Sequence, residues 1–452
     1  MRLTWAQPED LLLHELVQSR AEGVDAREIS SVGQRWLEAG GGSLEPPVSG
    51  AAAVPARPEL RRFAGLLLDE LDARPRAEDP DHPSTLAAVE QGWSEGPAVR
   101  GAGDDLADRV AGAWSGRAAG CVLGKPVEKI PRRGIRLIAE ETRNWPVRRY
   151  FTANGLSEET ARAWPWNRRS APTSLIENLH GTPEDDDLNY PLLNLGLLER
   201  HGTPSTEDVA LAWLADLPAG RVFTAERAAY RNLLLAVPVA EVATRRNPFR
   251  EWVGALIRGD VFGWARPGDP YAAARLAWPD AVLSHTRNGV YGELWAAALA
   301  SASLVADDVD EVLLRAAGVV PPRSALADAV AFGTDLGRRT LSLDDRLDVL
   351  HARYGHLHWV HVLGNAATIA CALTTSSGDF DTGVALAVMT GWDTDSAAAT
   401  VGSVLGGLLG AAALPAAWTT PLDGRIATSL PGGEQRVADL VARTLALSGG
   451  AA

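Results

Sequence analysis

Residues 397–414 read AAATVGSVLGGLLGAAAL, and this stretch does most to decide the fold. Gly402, Gly406 and Gly410 recur at every fourth position, which places them on one face of an α-helix. Glycine lets a second backbone approach closely because it has no Cβ atom. The stretch therefore predicts a buried helix that packs against another helix.

Other apolar segments show the same helical spacing. They are VALAWLADL (209–217), RAAYRNLLLAV (227–237), GELWAAALASASLVA (292–306) and WVHVLGNAATIACALTT (359–375). Few segments alternate as strands do, and we find neither a series of βαβ units nor a repeat of about 20–50 residues. The sequence therefore predicts an all-α fold, with one large helical domain in residues 101–452.

Residues 1–100 differ in character from the rest of the chain. Helical patterns there are broken by stretches rich in proline, glycine and charge, which are typical of loops and linkers. The helical patterns fall at roughly 7–20, 26–39 and 57–74, and the breaks are GGGSLEPPVSG (40–50) and ARPRAEDPDHP (73–83). We expect an N-terminal helical appendage and linker that lie outside the active site.

Composition excludes several classes of protein. The 452 residues carry a net charge of −14, which disfavours nonspecific binding to nucleic acid. The apolar runs fall short of the ~20 residues that span a bilayer, and Glu9, Asp10 and Glu15 give the first segment the pattern of an amphipathic helix rather than a signal peptide. Cys121 and Cys371 are expected to be buried, reduced thiols. We expect a cytoplasmic protein that binds neither nucleic acid nor membrane.

A first acidic cluster lies in GTPEDDDLNYPLL, where Glu184, Asp185, Asp186 and Asp187 are adjacent. One interpretation is a solvated acidic loop before a helix, because carboxylates favour a helix N-terminus. The other is a set of ligands for a divalent cation, which prefers oxygen donors. Pro191 is tolerated in a first helical turn, so we expect the helix to begin near residues 188–190.

A second acidic cluster lies about 200 residues later, in GWDTDSAA. Asp393 and Asp395 are two residues apart and can converge on one ion only where the backbone turns into a helix. The alternative is N-capping by Asp395 or Ser396. The two clusters together could supply Asp185, Asp186, Asp393, Asp395 and the Ser396 hydroxyl to two Mg²⁺ or Mn²⁺ ions.

A third segment, DRVAGAWSGRAAGCVLGKPVE (108–128), has the pattern of a helix, a glycine-rich turn and then Pro126. Gly116, Gly120 and Gly124 would permit close approach by a ligand or by another helix. The glycine spacing fits neither a dinucleotide-binding turn nor a P-loop.

These three segments, in this order, resemble the ADP-ribosylglycohydrolase family. The first cluster is similar to the family's Ser/Thr-Asp-Asp element, GWDTDSAA to its late Gly-Gly-Asp-x-Asp-Thr element, and residues 108–128 to its opening element, which ends in a glutamate on a mobile loop. The resemblance covers about residues 104–445. It implies a large orthogonal helical bundle and a magnesium-dependent hydrolase that cleaves the bond between ADP-ribose and its acceptor.

The resemblance also implies roles for individual residues. The metal ligands would be Asp185, Asp186, Asp393, Asp395 and Ser396, with Glu184 where the family has a hydroxyl ligand. Glu128 would be the loop glutamate. Gly254, Ala255 and Arg258 in GALIR would contact the diphosphate, and His285 would approach the phosphates. Asp187 stands in place of a threonine, Cys121 in place of a common aspartate, and Trp392 in place of a second glycine. These departures indicate a divergent, bacterial-type branch.

Hydrolysis of a riboside passes through an oxocarbenium-like state, so an attacking water needs a base. Glu128 or Asp186 is expected in that role, and the sequence does not choose between them. Trp392 directly precedes Asp393, so we expect its ring at the reacting centre, where it would favour small acceptors.

The expected partner is an ADP-ribosylated protein or a small-molecule ADP-riboside, and the oligomeric state stays open. A pathway enzyme that removes ADP-ribose or a ribosyl nucleotide from an NAD-derived metabolite is one alternative. A binding protein without turnover, or a helical scaffold, is another. The intact set Asp185, Asp186, Asp393 and Asp395 argues against the two non-catalytic alternatives.

Overall fold

The computed structural model describes residues 3–74, 79–94, 98–167 and 170–448. These residues form 23 α-helices and one antiparallel pair of two-residue β-strands, so the all-α prediction is confirmed. The helices are α1 (Pro8–Ala21), α2 (Ala26–Glu38), α3 (Pro58–Asp72), α4 (Leu86–Gln91), α5 (Leu106–Gly124), α6 (Arg132–Glu141), α7 (Glu158–Ala163), α8 (Ala171–Ser174), α9 (Asp186–His201), α10 (Thr206–Asp216), α11 (Thr224–Leu234), α12 (Val239–Val242), α13 (Asp260–Trp264), α14 (Pro270–Ser284), α15 (Arg287–Ser303), α16 (Val309–Ala317), α17 (Ala325–Arg338), α18 (Leu343–Tyr354), α19 (Val362–Ser376), α20 (Phe380–Met389), α21 (Thr394–Leu409), α22 (Ala416–Thr419) and α23 (Val437–Ser448).

Short elements complete the chain. The strands β1 (Arg425–Ile426) and β2 (Gln435–Arg436) pair antiparallel, with Arg425 opposite Arg436. The 3-10 helices are Lys125–Val127, Ile176–Asn178, Ala219–Arg221, Leu256–Arg258, Ala411–Ala413 and Thr420–Leu422. Across the described residues, each helix is too short or too polar to cross a membrane.

Helices α5 and α21 cross the centre of the molecule in opposite directions, with backbone against backbone. A Cβ atom added at Gly116 would lie well inside the contact distance of the Gly402 carbonyl oxygen, and one at Gly112 would meet Gly406 in the same way. The glycine faces therefore serve helix packing, as the spacing of residues 397–414 predicts. This packing brings the C-terminal end of α5 to the N-terminal end of α21.

Helix α9 begins earlier than the proline suggested, at Asp186, so Pro191 lies inside the helix rather than in its first turn. A proline there has no N–H to donate to the carbonyl of residue 187. The Arg117 Nε donates to that Asp187 carbonyl at 2.8 Å instead, and so replaces the missing hydrogen bond. Because the helix tolerates its proline in this way, Asp186 and Asp187 belong to the first turn and not to a loop.

The N-terminal region packs closely onto the rest of the chain. Helices α1–α3 match the predicted segments, while residues 75–78 of the predicted linker lie outside the described residues. The buried Arg250 guanidinium binds Glu15 of α1 at 2.8 Å and Glu22 at 2.7 Å. The indole of Trp252 meets the ring of His14 edge-on, with the ring centres 5.3 Å apart. The region is thus joined to the segment just before GALIR by buried ionic and aromatic contacts.

Candidate metal and active site

Three helix ends meet at one acidic site: the end of α5, the start of α9 and the start of α21. The Ser396 hydroxyl lies 3.2 Å from Asp187 Oδ2 and 3.2 Å from Asp393 Oδ1. The Thr394 hydroxyl donates to the Gly124 carbonyl at 2.8 Å and ties α21 to α5. The two acidic clusters of the sequence therefore lie side by side, as the metal-site hypothesis requires.

Helix starts explain why the carboxylates can converge. Asp185 is the N-cap of α9, and its Oδ1 accepts from the Asp187 amide at 3.0 Å. Asp393 is the N-cap residue of α21, and Asp395 follows in the first turn. At these positions the chain turns from extended to helical backbone, so neighbouring acidic side chains can face the same point.

The electrostatics of the site favour a bound cation. Burial raises the pKa of Asp186, Asp187, Asp393 and Asp395 well above the usual value, and repulsion from neighbouring carboxylates adds to the rise in each case. Glu128 contributes to the raised pKa of Asp186, Asp393 and Asp395, so its carboxylate belongs to the same group. Buried carboxylates of this number are stable as anions only beside compensating charge.

Lys125 supplies part of that charge from within the chain. It follows α5 directly, is buried, and places its Nζ 2.6 Å from Asp185 Oδ2. The same Nζ donates to the Glu184 carbonyl. Burial opposes the ionisation of Asp185, but the Lys125 ammonium, with hydrogen bonds from the Asp187 amide and the Asp186 side chain, holds the pKa of Asp185 below its usual value.

Glu128 lies just beyond this lysine, half-buried at the edge of the site. Its Oε2 accepts from the Asn167 side chain at 2.6 Å, and its Oε1 lies 3.2 Å from the Lys129 ammonium. The resemblance implies that Glu128 lies on a loop, and the structure places it directly after the 3-10 helix Lys125–Val127, near the carboxylates of α9 and α21. Its two partners fix the orientation of the carboxylate.

Asp187 is a site residue that the sequence interpretation passed over as a replaced threonine. Its Oδ2 accepts from Ser396, whereas its Oδ1 is buried, has no hydrogen-bond partner among the described residues, and lies 3.6 Å from the Arg117 guanidinium. The Cys121 sulfur and one oxygen each of Asp185 and Asp187 lie within 4.8 Å of one another. Arg117 in α5 was the available signal, because a buried arginine needs acidic partners.

Glu184, a predicted ligand, faces a different set of partners. Its Oε1 accepts from Asn189 and from the Ser429 amide, both at 3.0 Å, and its Oε2 pairs with Arg221 at 2.8 Å. Burial would raise the pKa of Glu184, but these donors together hold it below its usual value. The structure therefore does not join the Glu184 carboxylate to the other acids, because both its oxygens are already bound.

Arg258 and His285 also differ from their expected role at the diphosphate. Neither has appreciable exposed surface. The Arg258 guanidinium binds Asp280 at 2.5 Å and Glu226 at 2.7 Å, and also lies 3.3 Å from Glu293. The His285 Nδ1 is 2.8 Å from the Ser284 hydroxyl, and burial depresses the pKa of the ring well below its usual value. Both side chains stabilise the interior and do not present donors to a ligand.

Gly254, Ala255 and Trp392 are buried as well. A Cβ atom at Gly254 would collide with the Glu226 carboxylate, so this glycine allows close packing against Glu226. The expected role of the Gly254 and Ala255 amides at the diphosphate stays a prediction. The Trp392 indole packs against the His351 ring, with centres 4.7 Å apart, and against Gly364. It therefore contacts α18 and α19, although its backbone adjoins Asp393.

The residues that remain at the site fit a hard divalent cation. The donors at the site are carboxylates and one hydroxyl. The Asp187 Oδ1 is a buried acceptor that lacks a hydrogen bond within the described part of the chain. Oxygen donors of this kind are those that Mg²⁺ and Mn²⁺ prefer. Fold and site together define an all-helical protein with an acidic centre suited to binding a cation.

The chain belongs to the ADP-ribosylglycohydrolase family, whose sequence model matches residues 102–449. The family supports the activity of a hydrolase that acts on glycosyl bonds. Among solved structures, one described as an "ADP-ribosylglycohydrolase-related protein complex" is similar to this chain, with 20% identity and a TM-score of 0.43 over 76% of this chain and 98% of that chain. A comparison with curated proteins finds no match.

Proposed function

We propose that this chain is a metal-dependent hydrolase that cleaves the N- or O-glycosidic bond between ADP-ribose and its acceptor, a protein side chain or a small molecule. One observation carries the proposal: the Ser396 hydroxyl lies within hydrogen-bond distance of carboxylates from both acidic clusters, although Asp187 is 209 positions away. A group of buried carboxylates destabilises the folded state unless a bound cation compensates the negative charge.

Five residues are proposed to hold the metal: Asp186, Asp187, Asp393, Asp395 and Ser396. Mg²⁺ or Mn²⁺ suits this donor set, because all of its members offer oxygen. When bound, a divalent cation orients ribose hydroxyls and lowers the pKa of water. The protein supplies the fixed geometry through the N-terminal turns of α9 and α21.

Glu128 is proposed as the base that takes the proton from the attacking water, at Oε1 or Oε2. Its carboxylate is half-buried beside the acids, and Asn167 and Lys129 hold its two oxygens. The water oxygen bonds to the anomeric carbon as the glycosidic bond breaks, the acceptor leaves with the electron pair of that bond and takes up a proton from solvent, and Glu128 returns its own proton to solvent. Asp186 is the other candidate, and the two differ in that Asp186 is also a proposed ligand.

The test is turnover of ADP-ribosyl-arginine and of an ADP-ribosyl-serine peptide, measured as released ADP-ribose. We expect turnover with Mg²⁺ or Mn²⁺, its loss with EDTA, and its restoration by added metal. Asp393→Asn should abolish turnover, while the exposed Asp423→Asn is a matched control because asparagine tolerates its positive φ of 50°. Release of ADP-ribose that EDTA and Asp393→Asn leave unchanged would refute the proposal.

A further inference from the structure

We propose that the Lys125 ammonium takes the place of one of two divalent cations, so that the site binds a single metal ion per chain. The inference rests on the proposed function, in which a divalent cation binds at the acidic site. It concerns the number of ions and the residues that set it.

The first ground is the position of Lys125 within the carboxylate group. Its Nζ lies 2.6 Å from Asp185 Oδ2 and also donates to the Glu184 carbonyl. The residue is only 7% exposed, so the charge is held inside the site rather than in solvent. Asp185 Oδ1 is bound as well, by the Asp187 amide at 3.0 Å. Both oxygens of Asp185 are therefore bound by protein donors.

The second ground is the direction of Glu184, the other acid before α9. One of its oxygens binds Asn189 and Ser429, and the other binds Arg221 at 2.8 Å. Hydrogen-bond donors and cations of the chain itself thus neutralise Glu184 and Asp185. Asp186 and Asp187 in the first turn of α9, with Asp393, Asp395 and Ser396 at the start of α21, are therefore the residues proposed to bind the ion.

The third ground is repulsion between charges. The Cys121 sulfur and oxygens of Asp185 and Asp187 lie within 4.8 Å of one another, close enough to contact the same ion. The Lys125 ammonium already contacts this group at Asp185. A divalent cation there would meet a fixed positive charge at close range in a buried environment, where such repulsion is weakly screened.

The chain offers a matched control, since Lys125 and Lys129 are its two lysines. Lys129 lies near the same site but pairs with Glu128 at 3.2 Å, not with Asp185. Removing either lysine changes the net charge by the same amount. Only Lys125→Met should free the carboxylate of Asp185.

The experiment counts Mn²⁺ ions on the full chain by native mass spectrometry and equilibrium dialysis, and reads the electron paramagnetic resonance spectrum. We expect one ion in the wild type, two in Lys125→Met and one in Lys129→Met. The wild type should give the six-line spectrum of an isolated Mn²⁺, and Lys125→Met the spectrum of a coupled pair. Lys125→Arg, which keeps the charge, should bind one ion.

Two ions in the wild type would overturn the inference and leave the proposed function intact. One ion in a folded Lys125→Met, or two in Lys129→Met, would overturn it as well. Lys125→Gln serves if Lys125→Met does not fold, as judged by circular dichroism, and the wild-type count tests the inference in either case. Failure of the wild type to bind any Mn²⁺ would refute the proposed metal dependence itself.

Discussion

The Thr394 hydroxyl donates a hydrogen bond of 2.8 Å to the Gly124 carbonyl, across 270 positions of sequence. Both residues are buried, and each stands at the end of a helix that leads to the acidic site. Because α5 and α21 pack backbone against backbone, this contact fixes where Lys125 and Glu128 lie relative to Asp393 and Asp395. Helix packing and site geometry are thus one property of the chain.

Replacing a glycine of this contact should destabilise the fold. In Gly116→Ala the new methyl group would collide with the Gly402 carbonyl, and a backbone atom cannot move aside as a side chain can. We expect a loss of about 1–3 kcal/mol or more in the free energy of unfolding. Denaturant titration measures the change, with Gly220→Ala as control because nothing lies within 4 Å of its Cβ position. Equal stability of the two variants would contradict the packing argument.

Removing the buried charge of Arg258 should impair folding rather than substrate binding. Arg258→Met would leave Asp280, Glu226 and Glu293 without their common cation. Breaking a buried ion pair in this way typically costs about 3–5 kcal/mol. Thermal and denaturant unfolding measure the loss, and KM for an ADP-riboside is measured on the folded fraction. A large rise in KM with unchanged stability would instead indicate that Arg258 binds the diphosphate of the substrate.

Acidification should weaken the docking of the N-terminal region. Burial lowers the pKa of His14 to about 3, of His358 to about 4 and of His361 to about 3. Below the unfolded value of 6.5, the unfolded chain takes up protons that the folded chain does not, so stability falls as the pH falls toward these values. At pH 5.5 the loss is about 1.4 kcal/mol for each histidine.

The measurement compares unfolding at pH 7.5 and pH 5.5 in the wild type and in His14→Phe. Phenylalanine suits the aromatic neighbours Phe249 and Trp252 and does not titrate. The difference between the two chains isolates His14 from the acidic site, whose raised pKa values act in the opposite direction. If both chains lose the same stability on acidification, His14 does not titrate as described.

Local pattern was enough to predict much of the fold. The periods of α1–α3 and the glycine face of α21 depend on residues a few positions apart, and the acids of the two clusters could be paired by family resemblance. The partners of Glu184, Lys125 and Arg258 are side chains that are distant in sequence and are brought near by helix packing. The spacing of residues along the sequence does not predict such contacts. Pro191 gave a wrong prediction of where α9 begins, because Arg117 of another helix donates the hydrogen bond that the proline cannot supply to the Asp187 carbonyl.

Variants of Glu128 and Asp186 should separate the two candidates for the base by their effect on metal binding. Glu128 contacts Asn167 and Lys129, whereas Asp186 belongs to the proposed ligand set. Glu128→Gln keeps an oxygen for the Asn167 donor but cannot take a proton from water. We expect it to bind Mn²⁺ like the wild type and to lower kcat by about 10²–10⁴-fold, the usual contribution of general base catalysis. Asp186→Asn should weaken Mn²⁺ binding as well as turnover.

Titration of Mn²⁺ by paramagnetic resonance, followed by kcat at saturating metal, distinguishes these outcomes, and the exposed Glu159→Gln is the control for loss of one carboxylate. Full turnover by Glu128→Gln with saturating Mn²⁺ would exclude it as the base. The proton would then have to leave through Asp186, and the tethers from Asn167 and Lys129 would serve only to shape the edge of the site.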